Sequence, residues 1–316
     1  MRVKMLILSI VIPVYNGEQS IAGLVDELFV HLNEQVKLEI ILVNDCSPDR
    51  SWQEIEKVSK KYPQQVLAIN LSKNFGEHNA VMAGYNHSSG DYIVNIDDDF
   101  QNPPSEILKL LKELNTGHEV VYSKYSKKKH HFFRNWGSWF TNAMATIMLG
   151  KPKGLYLSSF RIISKQLKDE IIRYAGPFPY IDGLILRSTN KIGTIEVEHH
   201  DRNVGQSNYT IVKLIRLWSY MFLNFSAYPL RMASILGMVF AGIGFLGAAA
   251  VFIEKLLYPS TQIGWTSLIM TVFVLSGTQL VVLGVIGEYI GRLFITQSNR
   301  PQYVIHQKIG SHASNN

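Results

Sequence analysis

The sequence predicts an α/β fold, in which a mostly parallel sheet is covered by helices on both faces and is followed by two apolar membrane helices. Short apolar runs alternate with segments of helical period through residues 6–96. The short runs are apolar throughout, which is typical of strands that are buried on both faces. Two long uncharged runs then occupy the C-terminal third of the chain. Together these patterns indicate a covered sheet attached to a membrane anchor.

The elements follow one another without long gaps. The expected strands are residues 6–14, 38–43, 66–71 and 91–96, and the expected helices are 18–34, 51–61 and 76–87. Pro103 and Pro104 prevent the fourth strand from continuing, and a further helix begins at Ser105. The N-terminal run is interpreted as a strand because it has only about ten apolar residues and lacks the small-residue cleavage site of a signal peptide.

Composition limits the class of protein. The chain has 316 residues, 47% of them hydrophobic, which is enough for one large domain or two ordinary ones. Its single cysteine, Cys46, excludes an intramolecular disulfide framework and a multi-cysteine zinc site. The formal charge of +6 suits nucleic acid, anionic lipid or a phosphorylated substrate. The location of the charge must decide between them.

The two uncharged runs, residues 232–253 and 264–287, are each about long enough to span a bilayer. Buried core helices are the alternative, but runs this long and rich in Gly and Ala favour spans. The cations that flank the runs outnumber Lys255 in the connection between them; they are Lys213, Arg216, Arg231, Arg292, Arg300 and Lys308. By the positive-inside rule, the large N-terminal part is cytoplasmic.

Polar residues follow each predicted strand, at residues 13–16, 44–47, 72–74 and 97–99. Because ligands of such sheets bind beyond the carboxyl ends of the strands, these residues form the candidate site. Neither GxGxxG nor GxxxxGK[ST] follows a strand, so the usual dinucleotide and P-loop sites are excluded.

The sequence DDDFQ at residues 97–101 is the most distinctive of these strand ends. If strand geometry persists past Ile96, Asp97, Asp99 and Gln101 point one way and Asp98 points the other. Two carboxylates and an amide oxygen suit Mg²⁺ or Mn²⁺ with positions open for phosphate oxygens. The alternative is an acidic turn that caps the strand.

Four segments in order resemble glycosyltransferase family two, whose members have the GT-A fold. They are VIPVYNGE at 11–18, VNDCSPD at 43–49, SKNFGEHNAVMAG at 72–84 and DDDFQNPP at 97–104. This resemblance covers about the first 210 residues. With YIDGLILR at 180–187, DRNVGQSNY at 201–209 and the two spans, the whole chain resembles the polyprenyl-phosphate glycosyltransferases, which include undecaprenyl-phosphate glucosyltransferases, formamido-arabinose transferases and dolichol-phosphate mannose synthases.

The resemblance implies roles for individual residues. The donor nucleotide, usually a uridine nucleotide in bacterial members, would be held by Pro13, Tyr15, Glu18, Asp45, Lys73, Asp97, Asp98, Arg202 and Ser207. The metal ion, Mg²⁺ or Mn²⁺, would be held by Asp97, Asp99 and Gln101 and would bridge the donor diphosphate. Arg202 and Ser207 match a loop that closes over the diphosphate. The catalytic residues would be Asp98, Asp99, Asp182 and Arg202.

The acceptor phosphate is assigned to Lys128, Arg134 and Arg161. Lys128 and Arg134 belong to the densest basic run of the chain, which leads directly into an aromatic segment at residues 132–140. Basic residues that lead into aromatic ones are typical of a membrane interface, and this favours lipid over nucleic acid. Some relatives have an acidic residue immediately before Phe160, where this chain has Ser159. Asp182 is therefore either a catalytic acid or a helix cap, and the sequence leaves both open.

The resemblance implies an inverting, metal-dependent glycosyltransferase that moves one sugar from a UDP-sugar to undecaprenyl phosphate. The expected location is the bacterial inner membrane, with several spans and a cytoplasmic catalytic domain. The expected boundaries are a catalytic domain at 1–210, interfacial helices at 211–231, spans at 232–253 and 264–287, and a cytoplasmic tail at 288–316. Relatives suggest a homo-oligomer, with a tetramer as one candidate state. A processive polysaccharide synthase and an inactive membrane scaffold are the alternatives, but no Q-x-x-R-W motif is present and DDDFQ is intact.

Overall fold

A computed structural model describes residues 6–125, 151–152, 154–198, 228–258, 264–297 and 300–310. The chain divides into two compact units, Met1–Thr210 with Arg300–Asn316, and Ile211–Asn299. The strands of the first unit are β1 Ile7–Val14, β2 Lys37–Asn44, β3 Val66–Leu71, β4 Tyr92–Asn95, β5 Val120–Tyr125, β6 Arg161–Ser164, β7 Ile192–Val197 and β8 Ile305–Ile309.

The helices of the first unit connect these strands. They are α1 Ile21–Leu32, α2 Ser51–Lys61, α3 Glu77–Asn86, α4 Ile107–Leu114, α5 Lys165–Ile171 and α6 Ile181–Ser188. A short 3-10 turn, Pro104–Glu106, precedes α4 at the point where the two prolines predict a helix start. The second unit contains α7 Tyr228–Leu257 and α8 Trp265–Gln297.

The described strands form one eight-stranded sheet in the order β7-β5-β6-β4-β1-β2-β3-β8. β1 pairs in parallel with β2 and β4, and β2 pairs in parallel with β3. The consecutive residues Ile10, Val11 and Ile12 are all fully buried, so helices cover both faces of the sheet. The α/β class with a mostly parallel sheet is thus confirmed. It brings the carboxyl ends of β1 to β4 to one edge.

Three antiparallel pairings make the sheet mixed. β6 runs antiparallel to both β4 and β5, and β8 runs antiparallel to β3. β8 lies within residues 288–316, which the sequence predicts to be a tail. Gln302 holds this segment in place, because its Nε2 donates to the carbonyl oxygens of Tyr174 and Gly176 at 3.2 and 2.9 Å. The C-terminal segment therefore completes the edge of the sheet.

Deleting residues 300–316 is expected to destabilise the first unit, because it exposes the β3 edge and removes the Gln302 contacts. The thermal midpoint should fall by about 2–4 °C for each kcal/mol lost, and the exposed edge should promote aggregation. Deleting only residues 311–316 leaves β8 intact and is the matched control. Equal midpoints for the two deletions would show that β8 contributes no stability.

The second unit is described by itself. Among the residues that the structure describes, one helical segment, Leu275–Ile295 in α8, is long and apolar enough to cross a membrane, and it is not buried within the protein. The expected span 264–287 overlaps it. The expected span 232–253 lies within α7, so the helix is present, but its crossing of a membrane stays a prediction. Residues 211–227 of the expected interfacial segment lie outside the described residues.

Candidate active site

Three strands of the sheet end in strained backbone at the same edge. Asn16 follows β1, Cys46 follows β2 and Phe100 follows β4, and their φ angles are 61°, 53° and 57°. These are the described non-glycine residues with positive φ, a conformation that is uncommon for such residues. Because strained residues cluster at functional sites, their position identifies this edge as the candidate site.

The acidic run follows β4 and its first two carboxylates point in opposite directions. Asp97 lies toward β6, where its Oδ2 accepts a hydrogen bond from Ser159 Oγ. Asp98 lies toward β1, and any side chain at Gly17 would collide with its carboxylate. Asp98 Oδ2 is buried and has no hydrogen-bond partner among the described residues. The alternation expected for Asp97 and Asp98 is therefore present.

Strand geometry, the condition for this alternation to continue through Asp99 and Gln101, does not persist past β4. β4 ends at Asn95, and the chain bends from Asp98 onward to Phe100, which adopts a positive φ. The Phe100 ring lies beside Gly23 of α1 and packs against the core. Asp99 Oδ1 accepts a hydrogen bond of 3.2 Å from the backbone N–H of Gln101. A partly buried aromatic side chain thus packs at the end of the acidic run.

The acidic run has unusual electrostatics because the surrounding protein removes water from it. Burial raises the pKa of Asp97 to about 7, and the negative charges of Glu77 and Asp99 add to the shift. Burial likewise raises the pKa of Asp98 to about 7, with further contributions from Asp97 and Asp99. Both side chains remain in partial contact with solvent. A bound cation would reduce the repulsion between these carboxylates.

The acidic run fits a divalent ion that takes some of its ligands from elsewhere. No group of three or more His, Cys, Asp or Glu residues is arranged to hold a metal in the part of the chain that is described. Mg²⁺ sites often use one or two carboxylates and complete their shell with water and substrate phosphates. The mutual repulsion of the three carboxylates, which contributes to the raised pKa values of Asp97 and Asp98, fits such a site.

Asp45, expected at the donor nucleoside, clamps the loop before α3. Its Oδ1 accepts from the backbone N–H of Phe75 at 2.7 Å, and its Oδ2 accepts from that of Gly76 at 2.8 Å. Burial raises the pKa of the Asp45 carboxyl, although these two donors act in the opposite direction. Gly76 adopts a φ of 91° and has open space beside it. Asp45 therefore fixes the loop that leads into Glu77.

Replacing Asp45 by asparagine should loosen this loop, because one of the two N–H groups would then face an amide NH₂ instead of an oxygen. Leaving a buried donor unpaired costs about 1–3 kcal/mol. Hydrogen exchange should accelerate at Phe75 and Gly76, and the KM for the donor should rise. Asp49→Asn, in the neighbouring turn, is the control for exchange at these two amides. Unchanged exchange in Asp45→Asn would contradict the clamp.

The other expected donor residues lie around the same edge. Pro13 is the penultimate residue of β1, and Tyr15, 50% exposed, lies just beyond the end of the strand. Glu18 Oε2 accepts from the backbone N–H of Arg50 at 3.0 Å, so it stabilises the turn before α2. Lys73 is exposed and its Nζ lies 4.9 Å from the centre of the Phe75 ring. These placements bring the residues together but leave their donor roles as predictions.

Arg161 and Asp182 form a buried ion pair. Arg161 Nη1 lies 2.5 Å from Asp182 Oδ1, and the same oxygen accepts from the Tyr122 hydroxyl at 2.9 Å. The side chains are only 3% and 12% exposed. The Asp182 carboxylate is therefore engaged, and its catalytic role stays a prediction. The helix-cap alternative is wrong, because Tyr180 is the N-cap of α6 and Asp182 is the second residue of the helix.

The ion pair also corrects the assignment of Arg161 to the acceptor phosphate. A buried guanidinium that is paired with a carboxylate is not available to a phosphate in this structure. Lys128 and Arg134, the other expected acceptor residues, lie outside the described residues. Arg202 and Ser207, expected at the donor diphosphate, also lie outside them.

Sequence reasoning missed two neighbours of the acidic run. Glu77, the first residue of α3, is exposed, and its charge acts on Asp97. Ser159 donates its hydroxyl to Asp97. Ser159 departs from the residue found in some relatives, but its contact with Asp97 depends on the pairing of β4 with β6. A prediction of that strand pairing could have found it.

Comparisons with known proteins agree with this architecture. The family description Glycosyl transferase family 2 matches residues 9–174. An undecaprenyl-phosphate 4-deoxy-4-formamido-L-arabinose transferase of Photorhabdus laumondii is 32% identical over 310 residues, 97% of this chain and 95% of its own. The uncharacterized glycosyltransferase YkcC of Bacillus subtilis is 34% identical over 308 residues, 96% of this chain and 94% of its own.

A solved structure shows the likeness at the level of the fold. A crystal structure of a mycobacterial protein has a TM-score of 0.50 and 16% identity, and the match covers 66% of this chain and 70% of that one. The sheet and the acidic strand end define a GT-A-like α/β protein. The chain belongs to glycosyl transferase family 2 and is a glycosyltransferase, which confirms the family resemblance.

Proposed function

We propose that this protein transfers one sugar, with inversion, from a UDP-sugar to undecaprenyl phosphate at the cytoplasmic leaflet of the bacterial inner membrane. The observation that carries the proposal is the acidic run Asp97–Asp99 at the sheet edge, in a chain that aligns almost end to end with a relative named as an undecaprenyl-phosphate transferase. The relative's sugar, 4-deoxy-4-formamido-L-arabinose, is one candidate for the transferred group.

The donor is assigned to the edge formed by the ends of β1, β2 and β4. Asp97, Asp99 and Gln101 would hold a divalent ion, Mg²⁺ or Mn²⁺. Such an ion supplies charge neutralisation on a leaving diphosphate. Asp98 faces the β1 end and would contact the nucleotide or sugar. Asp45 and Glu18 hold the loops that border this edge, so they would shape the space for the nucleoside.

A phosphate acceptor is consistent with the state of Asp182, whose carboxylate is engaged in an ion pair. A phosphate monoester has a second pKa near 6, so it is mostly dianionic at neutral pH and is already a nucleophile. It therefore needs no strong general base. Asp182, the acid that the resemblance offers as a catalytic group, is engaged by Arg161 and Tyr122. Ser159 is not a carboxylate. Lys128 and Arg134 would attract the acceptor phosphate.

The membrane assignment rests on the apolar surface of the C-terminal helices. Leu280, Val281 and Phe294 of α8 are each about two thirds exposed or more. Side chains of this kind are stable in hydrocarbon and unfavourable in water. Both α7 and α8 are proposed to cross the membrane, with the catalytic unit in the cytoplasm. A homo-oligomer also stays a prediction.

The proposal is tested by measuring UDP release from a panel of UDP-sugars. Full-length protein in detergent should release UDP from one or a few of them only when undecaprenyl phosphate and Mg²⁺ or Mn²⁺ are present. Undecaprenol, which lacks the phosphate, is the matched acceptor control. Equal release with undecaprenol would contradict the phosphate acceptor, and full activity in excess EDTA would contradict the metal.

A further inference from the structure

Ser159 lies directly opposite Asp97 in an extension of the β4–β6 pairing. The last paired residues are Asn95 and Arg161, and the strands are antiparallel. Two steps beyond that pair, toward the acidic run, place Asp97 against Ser159. The backbone of Ser159 is held there, because Asn95 Nδ2 donates to its carbonyl oxygen at 3.1 Å. The segments that continue β4 and precede β6 thus remain close together past the end of the regular strand pairing.

The side chains make contact at this position. Ser159 Oγ donates a hydrogen bond to Asp97 Oδ2. Since the hydroxyl occupies one carboxylate oxygen, the other, Oδ1, is left for a cation. A fixed donor also limits the rotation of the carboxylate, which is repelled by the negative charges of Glu77 and Asp99. Partners of this kind orient metal ligands in other proteins.

We propose that Ser159 is a positioning residue that holds the Asp97 carboxylate in place for the divalent ion of the donor site. The inference rests on the proposed function, because it requires that Asp97 binds the ion. It gives a role to the position at which some relatives have an acid. A carboxylate there would face Asp97 as a like charge, whereas the hydroxyl donates to it.

The test is the affinity of the full-length protein for Mn²⁺, measured in the presence of UDP from the electron paramagnetic resonance signal of free Mn²⁺. Ser159→Ala should bind Mn²⁺ about 10-fold more weakly, the lower end of the range for loss of a ligand's partner. Ser159→Thr keeps a hydroxyl and should restore most of the affinity. The activity of Ser159→Ala should recover toward the parental kcat at saturating Mn²⁺.

Ser158→Ala is the matched control. Ser158 is a neighbouring buried serine whose hydroxyl bonds to Ser123 and to the Phe160 backbone instead of to Asp97. It should bind Mn²⁺ as the parent does. Equal weakening in the Ser158 and Ser159 variants would overturn the proposal, because loss of packing would then explain both.

Asp97→Asn separates this inference from the proposed function. If Asp97→Asn loses Mn²⁺ binding while Ser159→Ala binds like the parent, Ser159 has no positioning role and the metal site stands. If Asp97→Asn also binds like the parent, the proposed metal site itself is wrong and the role of Ser159 falls with it.

Discussion

Asp99→Asn is expected to lower kcat by about 100- to 1,000-fold, the range for removing one electrostatic contact to a transition state. The substitution keeps the size of the side chain but replaces a charged metal ligand by a neutral one. It should not destabilise the fold, because the charge of Asp99 contributes to the raised pKa values of Asp97 and Asp98. Removing it relieves repulsion. The thermal midpoint should therefore stay the same or rise.

Activity and thermal unfolding are measured on the same preparation. Asp26→Asn is the matched control, since Asp26 pairs with Lys61 on the surface of α1 at 2.8 Å and belongs to no predicted site. It should keep parental turnover. Parental turnover in Asp99→Asn at the same metal concentration would remove Asp99 from the catalytic site.

Arg161→Met is expected to lower the free energy of unfolding of the first unit by about 3–5 kcal/mol, because it leaves the Asp182 carboxylate buried without its cation. The exposure of the pair decides this magnitude. Arg161 and Asp182 are 3% and 12% exposed, whereas Lys61 and Asp26 are 55% and 48% exposed. Lys61→Met should therefore change the free energy by only about 0–1 kcal/mol.

The double variant Arg161→Met/Asp182→Leu tests the cause. It removes both charges, so it should be more stable than Arg161→Met alone. The comparison is made by denaturant unfolding of the full-length protein in detergent. Equal effects of Arg161→Met and Lys61→Met would show that the Arg161–Asp182 pair is not buried in the working protein.

The sequence predicted β1 to β4 closely because their apolar character comes from burial on both faces. The expected strand 66–71 has the observed bounds of β3, and the others differ by one or two residues. β8 was missed because it is a short edge strand with exposed His306, Gln307 and Lys308. Such a segment has no alternating or continuous apolar pattern. Its place in the sheet depends on the free edge of β3, which is a tertiary property.

The sequence predicts the site residues that follow strand ends. It does not predict the contacts between side chains that are distant in the sequence. Asp45 and Asp97 follow strands, so a parallel sheet brings them to one edge. The Arg161–Asp182 pair joins residues 21 positions apart, and the Ser159–Asp97 contact joins residues 62 apart. Local patterns carry no information about such contacts. The bend at Phe100 was also missed, because a positive φ at a phenylalanine is uncommon.

Transfer of one sugar to a lipid phosphate is tested by the mass of the lipid product. Full-length protein is incubated with undecaprenyl phosphate and the UDP-sugar that gives UDP release, and the lipid is extracted for mass spectrometry. A single product is expected, heavier than the acceptor by one sugar residue, with one UDP released per product. A ladder of masses that differ by repeated sugar residues would contradict this account and indicate a processive synthase. An unchanged lipid with every UDP-sugar, in a folded preparation, would contradict it in favour of a scaffold.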